Sequence, residues 1–180
     1  GGFPVIHTVD YDMDSAYQVV QDIYSSVILK DTVQRNNIRN VELLERVIRY
    51  AFDNIGNTFS GKNVADYFKS QQRKIDINTV YNYLNILEEA FVLFRVSRFD
   101  IEGKGILKTQ EKFYVSDISL IHSTLGFRSS KIGGFLENIV FLELKRRGFD
   151  VYIGKLGDKE IDFIAQKQAK KLYVQVAYKL

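Results

Sequence analysis

The chain has 180 residues, of which 46% are hydrophobic and 26% are charged, the composition of a globular protein rather than a disordered one. It contains no cysteine, which excludes disulfides, a thiol nucleophile and zinc sites built on thiolates. No apolar run approaches the roughly 18 residues that cross a bilayer, and no cationic segment followed by an apolar stretch opens the chain. We therefore expect a cytoplasmic protein without a membrane partner.

The formal net charge is +3, and the positive charge is concentrated at the C-terminal end. Residues 1–59 carry five Lys or Arg against eight Asp or Glu, whereas residues 128–180 carry eleven against six, a net charge of +5. A phosphate backbone would be favoured at this end of the chain. A solvated surface is the alternative explanation of the same charge.

The first half of the chain is predicted to be helical. Apolar residues at helical spacing predict one helix over residues 14–35 and a second over about residues 41–55. Ser60 is typical of a residue that caps a helix, and either Asp76 or Asn78 is expected to cap the helix that follows.

Beyond these helices the apolar pattern changes to that of strands. Residues 91–96 and 112–115 are predicted strands, and residues 100–105 supply the turn between them. Helix, short helix, helix and β-hairpin in this order are typical of a winged helix. We therefore assign residues 1–40 to a helical connector and residues 41–115 to a winged-helix domain.

The second helix of the helix-turn-helix pair enters the major groove in winged helices that bind DNA. Here that helix exposes amide and hydroxyl groups but has no Arg or Lys from residue 76 to residue 90, so the cations lie before it and in the wing. The residues predicted to contact nucleic acid are Arg73, Lys74, Asn78, Thr79, Asn82, Lys104 and Lys108. The alternative is a winged helix that docks a partner protein.

Residues 116–180 are predicted to form a small α/β domain. A helix begins near Lys131, and strand-like segments follow at residues 151–153, 161–165 and 172–177. We therefore expect an α/β protein of α+β arrangement overall, with a helical winged-helix unit followed by a small α/β unit.

Asp162 is the unusual residue of this domain, because it interrupts an apolar strand in which a buried carboxylate requires a partner or a metal. Glu137 lies 25 residues earlier, on the preceding helix, and Gln175 lies 13 residues later, on the next strand. If the three side chains converge, they present oxygen ligands to Mg²⁺ and support phosphodiester hydrolysis. Glu137, Asp162 and Gln175 are thus the candidate catalytic and metal-binding residues.

This pattern resembles the restriction-endonuclease-like (PD-(D/E)xK) nucleases, in which a helical Glu and a strand Asp precede a Glu-x-Lys strand. Gln175-Val176-Ala177 stands at the Glu-x-Lys position. Ala177 replaces the lysine that orients or activates the attacking water in that family. The lysines left to replace it are Lys155, Lys159 and Lys179. The resemblance implies the nuclease fold with a degenerate site, either inactive or dependent on Mg²⁺.

The whole chain also resembles the C-terminal domain of unknown function that follows the nucleotide-binding core of prokaryotic AAA-type ATPases. The resemblance rests on the opening Gly-Gly-Phe-Pro, on the segment 78–84 (Asn-Thr-Val-Tyr-Asn-Tyr-Leu) and on Glu160-Ile161-Asp162-Phe163. It implies an ATPase core in the same polypeptide, so that this chain is truncated at its N-terminus, and the last domain also looks truncated. No Gly-x-x-x-x-Gly-Lys-Ser/Thr loop occurs, so ATP is expected only in that core.

These observations favour an accessory module of an ATPase, without catalytic activity of its own, that binds DNA or a partner protein. One alternative is a Mg²⁺-dependent DNA nuclease. A second is a structural docking domain that forms homo-oligomers through the helices of residues 14–55. In this chain no cofactor is expected apart from Mg²⁺.

Overall fold

The computed structural model describes residues 2–71, 75–103 and 105–178, apart from the side chains of Val27, Lys108 and Thr109. The helices are α1 (Pro4–Thr8), α2 (Met13–Asp22), a π-helix (Ile23–Lys30), α3 (Asp31–Arg35), α4 (Val41–Asp53), α5 (Gly61–Ser70), α6 (Ile77–Glu89), α7 (Ile118–Leu125), a 3₁₀ turn (Ser129–Lys131) and α8 (Ile132–Arg146). The strands are β1 (Thr58–Phe59), β2 (Leu93–Asp100), β3 (Gly105–Val115), β4 (Asp150–Leu156), β5 (Lys159–Lys167) and β6 (Lys170–Val174). The expected α+β fold class is confirmed.

Five of the described helices, α2, α4, α5, α6 and α7, begin after a residue whose side chain accepts a hydrogen bond from a backbone N–H group. The side chain of Ser60 accepts a hydrogen bond from the N–H of Asn63, and that of Asp76 accepts one from the N–H of Asn78. The predicted cap at Ser60 is confirmed, and Asp76 rather than Asn78 caps α6. The helix predicted over residues 14–35 is present as α2, the π-helix and α3 in direct succession.

The six strands form one sheet in the order β1-β3-β2-β4-β5-β6. All neighbouring strands are antiparallel except β2 and β4, which run parallel through residues 98–100 and 153–155. The predicted wing, β2 and β3, therefore shares its sheet with the strands of the C-terminal unit. The boundary predicted after residue 115 follows the last residue of β3, and the division into domains stays a prediction.

A single hydrophobic core extends through both predicted units. From α4, α6 and the hairpin it receives side chains that are at most 2% exposed, among them Leu44, Val47, Ile48, Val80, Leu84, Leu87, Leu93 and Phe113. From α8, the ring of Phe141 stacks on Tyr114 with centroids 4.6 Å apart, and it lies 6.2 Å from Phe163 on β5. Burying each such side chain contributes about 1.5–3 kcal/mol, so the packing of α4, α6 and α8 holds the sheet in place.

Several elements differ from the sequence-based expectation. Helix α7, the short helix α1 and the two-residue strand β1 were not predicted. The last strand ends at Val174 rather than at residue 177. The middle of the first long helix is π-helical, and no sequence pattern indicates that.

Asn138 fixes α8 to the end of β3. Its side chain is fully buried; its Oδ1 accepts the N–H of Val115 at 2.7 Å, and its Nδ2 donates to the C=O of Val115 at 2.9 Å. Val115 is itself fully buried, so neither of these backbone groups has access to water. One amide side chain therefore satisfies both a donor and an acceptor at the edge of the candidate site.

We predict that Asn138→Ala lowers the free energy of unfolding by about 2–5 kcal/mol, because it leaves a buried N–H and a buried C=O without partners. Asn63→Ala, which removes an exposed amide on α5, is the matched control and should change stability by less than about 0.5 kcal/mol. Urea denaturation followed by circular dichroism measures both. Equal stabilities of the two variants would contradict the role given to Asn138.

Candidate functional site

Lys112 carries a positive charge into the interior of the protein, between two acidic side chains. It lies on β3, and 4% of its surface is exposed. Its Nζ is 3.0 Å from Oε1 of Glu137 on α8 and 2.6 Å from Oε1 of Glu160 on β5. Two carboxylates around one ammonium offset the cost of removing these charges from water. The lysine thereby joins the hairpin, the helix and the C-terminal strands.

Two further side chains complete this cluster. The hydroxyl of Tyr114 donates a hydrogen bond to Oε1 of Glu137, and Nη2 of Arg98 lies 3.3 Å from Oε2 of Glu160. Lys112 and Tyr114 are two residues apart on β3, so their side chains extend from the same face of the sheet. Each carboxylate therefore interacts with Lys112 and with one additional donor.

The environment of the cluster shifts the pKa of its members. Burial raises the pKa of Glu137, and the charge of Asp162 adds to this rise, while Lys112 and Tyr114 oppose it. Burial alone would lower the pKa of Lys112, but the charges and hydrogen bonds of Glu137 and Glu160 outweigh burial and raise it. Lys112 therefore remains protonated and serves as a counter-ion rather than as a base.

Asp162 and Gln175 are linked through backbone N–H groups of adjacent segments. Asp162 is 9% exposed, and its Oδ2 accepts the backbone N–H of Val176 at 2.7 Å. In return, Oε1 of Gln175 accepts the backbone N–H of Asp162 at 3.4 Å. These two bonds hold the chain that follows β6 against β5. Glu137 is connected to the pair through the charge of Asp162, which contributes to its raised pKa.

The positive charge that this site holds at Glu137 is the ammonium group of Lys112. Within the described part of the chain, no group of three or more His, Cys, Asp or Glu side chains is arranged to hold a metal ion. Glu137 directs its oxygen to Lys112 and Tyr114, and the amide oxygen of Gln175 accepts from a backbone N–H. The expected Mg²⁺ site at Glu137, Asp162 and Gln175 therefore stays a prediction, and Lys112 supplies the positive charge at Glu137.

Sequence reasoning missed Lys112. The lysines considered as replacements for the one absent at Ala177 were Lys155, Lys159 and Lys179, whereas the lysine in contact with Glu137 comes from β3, before α8. One signal was available. Phe113, Tyr114 and Val115 are consecutive apolar residues, which indicates a strand buried on both faces, so the lysine that precedes them was a candidate for burial.

Helix α6 carries three of the seven residues predicted to contact nucleic acid. Asn78 and Asn82 are exposed and Thr79 is half-buried; with Asp76, Tyr81 and Asn85 they line an open depression. Arg95 on β2 lies beside this face of α6. Its Nη2 donates to Oδ1 of Asn85 and is 2.8 Å from Oε2 of Glu88, so part of its charge is neutralised within the protein.

The other four residues predicted to contact nucleic acid lie outside the described part of the protein: Arg73, Lys74, Lys104 and the side chain of Lys108. Lys179, one of the lysines considered as a replacement for the one absent at Ala177, also lies outside it. The expectation that cations flank α6 and occupy the wing therefore stays a prediction.

The chain belongs to a family defined by a domain of unknown function, DUF8612, whose model matches residues 1–131. An uncharacterised protein of Haemophilus influenzae is 36% identical over 180 residues, which are 100% of this chain and 44% of that protein. An uncharacterised protein of Methanocaldococcus jannaschii is 32% identical over 184 residues, covering 100% of this chain and 40% of that protein. The chain thus spans less than half the length of these relatives. No solved structure matches it.

The family match and the site overlap only in part. Residues 1–131 include α6 and Lys112, whereas Glu137, Glu160 and Asp162 lie beyond them. The two relatives match the chain over its full length. Among the described residues, no helix combines the length and the apolar character needed to cross a membrane.

We predict that Lys112→Met destabilises the protein by about 3–5 kcal/mol near neutral pH, because the largely buried Glu137 loses its counter-ion and Glu160 keeps only Arg98. The variant lacks the lysine that opposes the raised pKa of Glu137, so this pKa rises further. When the pKa of a carboxyl group is higher in the folded protein than in the unfolded one, the protein loses stability as pH rises from the unfolded pKa to the folded pKa. The loss in free energy of unfolding, relative to the unaltered chain, should therefore be larger at about pH 8 than at about pH 5.

Thermal unfolding of both proteins across this pH range measures the effect. The double variant Lys112→Met/Glu137→Gln removes a negative charge together with the positive one and should recover part of the loss. Lys62→Met, at an exposed position on α5, controls for the loss of a surface charge. A deficit that does not change with pH would contradict the counter-ion role.

Proposed function

We propose that this chain is a non-catalytic accessory module of a prokaryotic AAA-type ATPase and that it binds duplex DNA through the exposed face of α6. The observation that carries the non-catalytic part of the proposal is the buried ammonium of Lys112, which lies between Glu137 of the nuclease-like site and Glu160. A site whose charge is balanced from within has no need of a divalent cation, and a carboxylate held by a lysine and a tyrosine is a poor ligand for one.

The DNA part of the proposal rests on the chemistry of α6. Asn side chains can form paired hydrogen bonds with adenine in the major groove, and hydroxyl groups can contact bases or phosphates. Asn78 and Asn82 expose such groups on one face of a helix of 13 residues. Because α6 packs on the core through Val80, Leu84 and Leu87, the helix is a rigid support for this face.

The ATPase part rests on the resemblance of the whole chain and on the relatives. Both of them are more than twice as long as the matched segment, so there is room for a separate catalytic core in each. ATP binding and hydrolysis are assigned to that core, and the module contributes contacts to DNA. The alternative partner for the α6 face is another protein.

The DNA proposal predicts salt-dependent binding that is weakened on α6. The chain should bind a fluorescein-labelled duplex in an anisotropy titration at low salt, and the logarithm of the association constant should fall linearly with the logarithm of the salt concentration. Asn82→Asp should weaken binding by about tenfold, since it removes one base or phosphate contact and adds a charge that phosphates repel.

Gln21→Glu adds the same charge on the exposed surface of α2 and is the matched control for Asn82→Asp. It should leave the association constant within about twofold of the unaltered value. Absence of binding at low salt would remove DNA as the partner and leave a protein. Equal weakening by both variants would show that the effect is one of net charge and not of the α6 face.

A Mg²⁺-dependent nuclease is the second candidate, and one observation favours it. A lysine does lie at the acids, although it is Lys112 on β3 rather than a residue on the last strand. Cleavage of duplex DNA in the presence of Mg²⁺, abolished by Asp162→Ala, would establish this activity in place of the non-catalytic role. The Asp162→Ala protein must first be shown to fold, since Oδ2 of Asp162 accepts the N–H of Val176.

A further inference from the structure

The sheet has a second face, opposite the one on which α8 packs. In strand pairing, directly opposed residues extend from the same face. Phe163 and Ala165 on β5 belong to the core on the α8 side, and Ile164 between them therefore extends from the other side. We call this other side the outer face. On the outer face, residues that are directly paired across neighbouring strands form two rows. One row consists of Ile106, Phe99, Gly154 and Ile161, and the other of Tyr152, Ile164 and Tyr173.

Aromatic rings and one lysine dominate the outer face. The ring centroids of Phe99 and Tyr152 are 6.0 Å apart. The Nζ of Lys171 lies 5.2 Å from the ring centroid of Phe99 and 5.4 Å from that of Tyr173. This is the distance at which an ammonium is attracted by the face of a ring. Ile164 is 1% exposed beneath these side chains, so the rings form an ordered layer and not a loose surface.

The layer remains accessible to solvent even though the rings pack on one another. Tyr173 is 55% exposed, Ile106 is 57% exposed and Leu156, at the end of β4, is 41% exposed. None of the residues in the two rows is part of the main core. Tyr152 and Tyr173 stand two strands apart, a distance of roughly 10 Å. The outer face therefore offers aromatic surface at more than one point.

Positive charge borders the aromatic layer at both ends. Lys171 lies in the row of Gln166 and Asp150, and Lys159 is paired with Leu156. Both lysines are exposed. The strand register also places one carboxylate here, that of Asp150, in the row of Gln166 and Lys171. Residues 128–180 as a whole carry a net charge of +5. A polyanion is therefore the complementary partner for this side of the protein.

We propose that the outer face binds single-stranded nucleic acid, with bases stacked on Tyr173 and the neighbouring rings and with phosphates beside Lys171 and Lys159. Aromatic rings next to lysines are the combination that holds unpaired bases, because every base has a face that can stack. Duplex DNA offers these rings no free base, since its bases already stack on one another. The site is separate from α6 and does not depend on the proposed binding of duplex DNA.

The test is an anisotropy titration of the chain with a labelled oligothymidylate of about 12 nucleotides, a length within the range that one small domain covers. The unaltered chain should bind at low salt. Tyr173→Ala should weaken binding by about 5- to 100-fold through loss of one stacked base. Tyr173→Phe keeps the ring and should bind within about twofold of the unaltered chain. Lys171→Ala should weaken binding and reduce the salt dependence by about 0.7 in the logarithmic slope.

Tyr17→Ala is the matched control, because Tyr17 is 38% exposed on α2, an element outside the sheet, and its loss should not change binding. Asn82→Asp should also leave oligothymidylate binding unchanged, which distinguishes this site from the α6 face. Circular dichroism verifies that each variant is folded. Absence of binding at low salt, or binding that Tyr173→Ala leaves intact, overturns the proposal, and the first of these results would favour a protein as the partner of the outer face.

Discussion

The ammonium of Lys112 is the charge on which the arrangement of the second half of the chain depends. It lies 3.0 Å from Glu137 and 2.6 Å from Glu160, and it therefore links β3 of the hairpin to α8 and to β5. Without it, Glu137 would keep only the hydroxyl of Tyr114 and Glu160 would keep only Arg98 at the junction of these elements. Breaking such a buried pair costs more than the pair contributes in net stability, because an uncompensated charge remains in the interior. The ion cluster therefore constrains how the predicted wing and the C-terminal strands can pack.

The same cluster is the structural basis of the proposed non-catalytic role. Glu137 and Asp162 retain the acidic character of the nuclease-like pattern, but the oxygen of Glu137 is held by Lys112 and Tyr114, and Asp162 accepts a backbone N–H from the chain after β6. Both acids thus make contacts within the protein. The two proposed binding surfaces lie elsewhere, on the exposed polar face of α6 and on the aromatic outer face of the sheet.

The sequence predicted the elements whose patterns are local. Helices α4, α5 and α6 have apolar stripes and capping residues such as Ser60 and Asp76, and these signals depend only on neighbours in the chain. The parallel pairing of β2 with β4 joins residues more than fifty positions apart, and no local pattern encodes it. Helix α7 was missed because its eight residues are too few for helical periodicity to be distinguished from a short apolar strand. For the site, Asp162 and Gln175 were predicted from a motif, whereas Lys112 reaches Glu137 only through tertiary packing.

Calorimetric titration with Mn²⁺ tests the central claim most directly, because Mn²⁺ binds the oxygen ligands that Mg²⁺ prefers. If Lys112 is the resident cation of the cluster, the unaltered chain takes up no Mn²⁺ at Glu137 and Asp162, and its heat of titration equals that of an Asp162→Asn variant. Saturable binding of one Mn²⁺ that Asp162→Asn abolishes would contradict the account. It would restore the metal-dependent nuclease as the better explanation of the site.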